Sequence, residues 1–436
     1  MNLLAHNYFT RGFWGDESWT ALISQFNLGE IIRVTSEDYH PPFYYFIVHF
    51  WGNAFGFGET AIRLISLIFF LLTPVTVFFL TNKFFKNLTK SLTASLLVLL
   101  SPILVTYAFE ARSYALLAFL SVASGLAFWQ SRTEKGYFWR VLYLFFGAMS
   151  VYTHYYAWFI LASHGLYLLI FERRYFKKLL PFAVGILAIQ LPWIPKLLSQ
   201  VGAVDQSYWI APINYRTHWE FFLRVAGGDY TTVFQHPASY LIIFLTLFGL
   251  FTKTTKKDYR FSPEIKFLLC WIIIPTLLPT IISVKTPIFF YRYLIFSAIP
   301  LLILAVHGLF KLQKPLPLLS LSLLLGLYAL VDFNSFARYP DSMRETVEQV
   351  YQSKTPGDGP VYTVLPAFAE VMYYAGPTDQ ILVSPEGLVQ FSGKSLLDAF
   401  VRRGRVEIVS PPDRQSYWFL EPGPKATYIT PGILPK

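Results

Sequence analysis

The chain has 436 residues, of which 54% are hydrophobic and only 14% charged, with a formal net charge of +10. Apolar runs of this number and length exceed what one globular core can bury, which excludes an ordinary soluble protein and assigns the surplus to lipid. The basic residues fall mainly in short links between those runs, so the positive charge describes loops on one side of a bilayer rather than a nucleic-acid surface.

The segment MNLLAHNYFTRGFWGDE contains neither a cleavable signal peptide nor a spanning helix. After residue 18, WTALISQFNLGEIIR places apolar residues at helical spacing. Pro41 and Pro42 then lead into the aromatic stretch FYYFIVHFWGNAFG. Both stretches read as interfacial or re-entrant helices on the outer face, with Tyr and Trp at headgroup depth.

A spanning helix needs about 20 mostly apolar residues. Candidate spans follow at 60–81, 92–109, 114–130, 138–154, 156–171, 179–195, 238–252, 266–284, 292–310 and 316–332. The long run at 138–171 is divided at Thr153–Tyr156, where THYY concentrates polar groups. Cys270, the single cysteine, lies inside an apolar run; it excludes an intrachain disulfide and a zinc site of several thiolates and reads as a small core residue.

Every second link is basic: Lys83, Lys86 and Lys90; Arg132, Lys135 and Arg140; Arg173, Arg174, Lys177 and Lys178; Lys253, Lys256, Lys257 and Arg260; Lys311 and Lys314. The positive-inside rule puts these links in the cytoplasm, and the remaining links with both ends of the chain outside. Beyond Asp332 the hydrophobic density falls. DSMRETVEQVYQ, FAEVMYY and SLLDAFVRR read as helices, VYTVL, VEIVS and YWFLE as strands, with the run ILVSP between them, and PGDG as a turn. The predicted organisation is an outer-face loop with juxtamembrane helices at 1–59, a multi-span domain of about ten helices at 60–332, and an extracytoplasmic α/β domain at 333–436.

Polar clusters then gather on the outer face. Asp16 and Glu17, in RGFWGDESW, supply either a helix N-terminus or a carboxylate that takes a proton from an attacking hydroxyl beside a second that positions a substrate or cation. Glu37, Asp38 and His40 precede the two prolines, which stiffen the turn; as a plain loop they need no partner, and as ligands Glu17, Asp38 and His40 could hold a divalent ion. Glu110 and Arg112 form either a helix-tethering pair or a grip on a lipid phosphate oriented by the acid. His154 and Tyr155 stand at an outer helix end, whereas His49, His164 and His307 read as packing residues. Lys285 and Arg292, in SVKTPIFFYRYLIF, either snorkel to headgroups or face a departing phosphate.

Taken in order, GDE, HPPFYY, ETAIRL, EARSYALLAF, HYYA and RYLIFSAIP resemble the GT-C superfamily. The closer resemblance is to family-39-like glycosyltransferases related to protein O-mannosyltransferases and the lipid A aminoarabinose transferase. It runs from residue 11 to about 332 and implies a polytopic α-helical GT-C fold in a prokaryotic cell membrane. Such proteins carry a spanning helix before the first outer loop, and this sequence shows none there.

The resemblance further implies inverting transfer of a monosaccharide from a polyprenyl-phosphate donor to a lipid, glycan or protein hydroxyl on the non-cytoplasmic face. It places the catalytic aspartate on Asp16 with Glu17 beside it, the acidic pair on Glu37 and Asp38, and the phosphate-handling arginines on Arg112 and Arg292. A divalent cation is permitted without being required. The alternatives are a lipid-linked oligosaccharide polymerase or ligase, which needs the same parts, and a transporter or flippase. A transporter would place polar groups near the middle of broken helices, where these spans are nearly charge-free.

Overall fold

The computed structural model describes residues 9–134, 136–204, 210–228, 233–251, 261–336, 343–354, 359–375, 380–385, 393–412, 415–423 and 425–430. In chain order the helices are α1 Gly15–Ser24, α2 Leu28–Ser36, α3 Phe43–Phe55, α4 Glu59–Phe85, α5 Leu88–Leu99, α6 Pro102–Ala108, α7 Tyr114–Thr133, α8 Phe138–Thr153, α9 Ala157–Phe171 and α10 Arg173–Gln190. They continue with α11 Ile194–Val204, α12 Thr217–Gly227, α13 Gln235–Phe251, α14 Pro263–Ser283, a 3-10 turn at Tyr291–Ser297, α15 Ala298–Leu309, α16 Leu316–Phe336, α17 Met343–Ser353, α18 Leu365–Tyr374 and α19 Lys394–Arg402. The strands are β1 Val361–Thr363, β2 Ile381–Val383, β3 Val406–Ile408, β4 Tyr417–Glu421 and β5 Lys425–Ile429.

The protein is a multi-pass α-helical membrane protein. Each predicted span falls on a helix or helix pair. By length and composition five are spans: α4, α7, α14, the continuous Tyr291–Leu309 segment, and α16. The bent pairs α5 with α6 (56°) and α10 with α11 (69°) bring the number to seven among the described residues. A proline explains the first bend: Ser101, which precedes Pro102, is extended (φ −69°, ψ 119°), as the residue before a proline prefers. The other predicted spans are shorter helices, α8 (16 residues), α9 (15) and α13 (17). His154 divides α8 from α9 in an extended conformation (φ −159°, ψ 132°), at the break that THYY predicts.

The chain divides into two compact units. One comprises Ser66–Pro195 and Ile210–Arg338, and the other Met1–Ile65, Lys196–Trp209 and Tyr339–Lys436. In the helical unit, α13 and α15 meet through glycines. A Cβ on Gly308 would lie 1.8 Å from the Leu245 carbonyl oxygen, so only glycine permits this approach, the close contact on which helices in lipid rely. Basic links come together at one end of this unit. Arg132 pairs with Glu172 (2.8 Å) and lies 3.5 Å above the Trp129 ring, while its carbonyl accepts from Lys178 Nζ (2.9 Å). Lys311 Nζ donates to the Gly249 carbonyl (2.6 Å), and Lys90 lies over the Phe85 and Phe310 rings. Among the packing residues, buried His164 stacks on Phe128 and Phe267, His307 stacks on Phe85, and Cys270 is buried.

In the other unit, the helical stretch after residue 18 breaks in two. Asn27 interrupts it, its side chain accepting the Glu30 N–H (2.9 Å) to cap α2. α2 is held to α11, where Gln200 Nε2 donates to the Thr35 carbonyl (2.9 Å). α3 is anchored by Trp51 Nε1 donating to Ala61 O (2.8 Å) and by a His49 Nδ1 contact with Ser24 O (2.9 Å). The C-terminal strands form a sheet of order β3-β2-β1-β4-β5, parallel except for the antiparallel β4–β5 pair. The predicted helices and strands of this region appear, and β5 joins them from KATYI, whose exposed polar residues gave no strand signal. The turn expected at PGDG lies, but for Gly359, outside the described residues.

Candidate functional site

In the unit that joins the two ends of the chain, α1 begins at Gly15, so Asp16 and Glu17 occupy its first turn, where the helix dipole favours negative charge. The two carboxylates have different surroundings. Glu17 is fully buried and is gripped by Arg63, which donates Nε to Oε1 (2.9 Å) and Nη2 to Oε2 (2.6 Å); Arg11 Nη1 adds a contact at 3.1 Å. The remaining Arg63 donors go to the carbonyls of Phe9 (2.9 Å), Arg11 (2.6 Å) and Gly12 (3.2 Å), so all five N–H groups of the fork are used. Asp16 is half-buried, and its carbonyl accepts Thr20 Oγ1 (3.0 Å).

Sequence reasoning gave Arg63 no role, although it lies in the quoted ETAIRL stretch. An arginine within an apolar helix calls for a partner, and that was the available signal.

A second missed group is Glu370. α18 packs on α1 and on the segment before it. The Phe13 N–H donates to Tyr374 Oη (2.5 Å), Tyr374 Oη donates to Glu59 Oε1 (2.9 Å), and the Phe13 and Tyr373 rings meet edge-on at 5.1 Å. Glu370 lies on this helix, and burial, reinforced by the charges of Asp16 and Glu17, pushes its carboxyl up to about 7.

Asp38 is buried at the start of α19. Its Oδ2 accepts from Gly393 N (3.1 Å) and Ser395 Oγ (3.5 Å), and its Oδ1 from Tyr39 N (2.6 Å). His40 Nδ1 lies 3.9 Å from Asp38 Oδ1, and the imidazole is 6.0 Å from the Trp19 ring. Glu37 is exposed. Glu17 thus faces Arg63 and Asp38 faces α19. Among the described residues no three His, Cys, Asp or Glu side chains are grouped as a bound ion would require.

In the helical unit, Glu110 and Arg112 are buried in a tight turn before α7. Arg112 N donates to Glu110 O (2.7 Å), and Ser66 Oγ fastens the turn by donating to the same carbonyl (2.5 Å). The Arg112 guanidinium lies 5.9 Å from the Tyr114 ring. Tyr114 is 6.2 Å from His154 and 6.3 Å from Tyr293, which in turn is 4.9 Å from His154 and 5.1 Å from Tyr156. Arg292 lies over Phe290 at 4.7 Å, and Phe290 is 5.3 Å from Tyr293. One aromatic cluster therefore links the predicted Arg112, His154 and Arg292. Tyr155 is committed elsewhere, its hydroxyl accepting from Trp193 Nε1 (2.7 Å), and Lys285 is exposed.

This architecture is shared with a protein of known structure. The chain is similar over most of its length to the crystal structure of ArnT from Cupriavidus metallidurans in the apo state, with a TM-score of 0.65 and 15% identity, covering 96% of this chain and 91% of that one. The same protein bound to undecaprenyl phosphate matches with a TM-score of 0.60 and 15% identity, over 95% of this chain and 90% of the other. The family model described as dolichyl-phosphate-mannose-protein mannosyltransferase matches residues 39–198. No curated protein sequence matches the chain.

Proposed function

We propose that the protein is an inverting glycosyltransferase that moves a monosaccharide from a polyprenyl-phosphate donor to a hydroxyl acceptor on the non-cytoplasmic side of a membrane. Asp16 takes the acceptor proton as the oxygen attacks the anomeric carbon, and the lipid phosphate departs from the opposite side. Arg112 and Arg292 offset the charge developing on that phosphate, and His154 lies in the same aromatic cluster to contact donor or sugar. Glu17 holds Arg63 and the chain around Gly15, so its task is to fix the aspartate beside it.

The observation that carries the reading is the asymmetry of the acid pair. Glu17 is enclosed and fully engaged by an arginine, while Asp16, at a helix N-terminus, is only partly buried. The fold shared with a protein solved with undecaprenyl phosphate supports the choice of donor class. The basic ends gathered in the helical unit support a cytoplasmic assignment for those links.

The test uses purified protein in vesicles, a panel of undecaprenyl-phosphate monosaccharides, and mass spectrometry of the products. Asp16→Asn is expected to lower transfer by about 10²–10⁴-fold without changing thermal stability. Undiminished turnover in that variant would remove Asp16 as the base.

A further inference from the structure

Helical periodicity places residues four before and three to four after Glu370 on its own face of α18. Those residues are already in contact with the N-terminal segment. The Pro366 carbonyl lies 4.0 Å from the position of a Cβ on Gly15, Tyr373 packs on Phe13, and Tyr374 binds both the Phe13 N–H and Glu59. Glu370 therefore belongs to the face that α18 turns toward Gly15-Asp16-Glu17. Other charged groups border this face: Arg11 before α1, Glu59 and Arg63 in α4, and Arg344 of α17, which pairs with Glu59 at 3.3 Å. The opposite face meets α19 through Phe368 and Phe400.

We infer that Glu370 is a positioning residue for Asp16, through which the C-terminal α/β segment controls the charge beside the proposed base. The inference rests on the function proposed above and deepens it. Protonated, Glu370 presents a neutral carboxyl to the acid pair. Ionised, it sets a further negative charge beside Asp16 and strengthens that carboxylate's pull on the acceptor proton. The two forms exchange close to neutral pH, because burial and the Asp16 and Glu17 charges oppose ionisation. The repulsion is mutual, so neutralising Asp16 makes Glu370 easier to ionise.

Two readouts separate this idea from the identity of the base. Infrared titration of the protein in vesicles, without substrate, is expected to show a protonated-carboxyl band disappearing near pH 7. The band is lost in Glu370→Gln, and its midpoint falls by about one unit in Asp16→Asn. With the undecaprenyl-phosphate sugar panel, wild-type transfer rises about three- to tenfold as pH passes through that midpoint, and Glu370→Gln flattens the rise. Tyr374→Phe, which loosens the docking of α18, serves as control: it lowers stability and leaves the shape of the pH profile intact.

A wild-type minus Glu370→Gln difference spectrum with no carboxyl band near pH 7, or a difference band that does not move in Asp16→Asn, overturns the inference. So does an unaltered pH profile in Glu370→Gln. If Asp16→Asn is inactive while Glu370→Gln keeps the wild-type profile, the base assignment stands and only the positioning role falls.

Discussion

In the unit that joins the two ends of the chain, the proposed catalytic acid is placed by ionic and backbone bonds to its neighbour: Glu17 lies between Arg63 and Arg11, and Arg63 reaches three carbonyls besides. In the helical unit the cations lie instead against rings, Arg112 near Tyr114, Arg292 over Phe290 and Arg224 over Tyr291 at 4.5 Å. The difference follows from what each group must do. A carboxylate that is to accept a proton needs its backbone fixed, which directional bonds to its neighbour achieve. A guanidinium held by its flat face can offer its edge to an oxyanion without dismantling the contact that locates it.

The sharpest way to break this comparison is Arg63→Met, which strips a fully buried carboxylate of its bidentate partner and leaves it only the Arg11 contact. It is expected to cost about 3–5 kcal/mol, read as a fall in unfolding temperature, with Arg63→Lys failing to restore the five-fold bonding. A variant as stable as wild type would mean that the ion pair does not organise the acid loop. In the helical unit, Arg112→Ala is expected to reduce transfer about 10²–10³-fold at unchanged stability. Retained transfer would reduce the ring-held cations to packing.

Gly308→Ala probes the helical unit without touching its charges. The added methyl meets backbone on α13, and a loss of about 1–3 kcal/mol is expected by thermal unfolding. The smallest effect belongs to Asp38→Asn, which keeps much of the bonding to α19 but removes its charge, at about 0.3–1 kcal/mol with transfer preserved. Abolished transfer in a stable Asp38→Asn protein would instead move Asp38 into the chemistry, as its position before the prolines first suggested.

Much of the helical scaffold was legible because a span announces itself locally. Hydrophobic length located the spans, though not α12 in the polar segment between them, and THYY marked the break at His154, where the polar groups indeed end a helix. The division of the stretch after residue 18 was missed because the interruption at Asn27 is a capping event within a continuing apolar pattern. The groups proposed for catalysis were visible as types at helix ends, but their partners were not. Glu17 and Arg63, or Glu370 and the acid pair, are joined only by folding, and no local period encodes such a meeting. Tyr114 and Tyr293 were passed over for the same reason, since aromatic residues crowd this sequence and only their proximity to His154 distinguishes them.

The docking of α18 on the residues around Phe13 also has a consequence for biogenesis. A ribosome delivers α1 before the intervening spans and α18 after them, so the acid loop must wait through their insertion before its cover arrives. Maturation of the proposed base is thereby timed to the arrival of α18, and a nascent chain halted before residue 365 would leave the Phe13 N–H and ring without their Tyr374 and Tyr373 contacts.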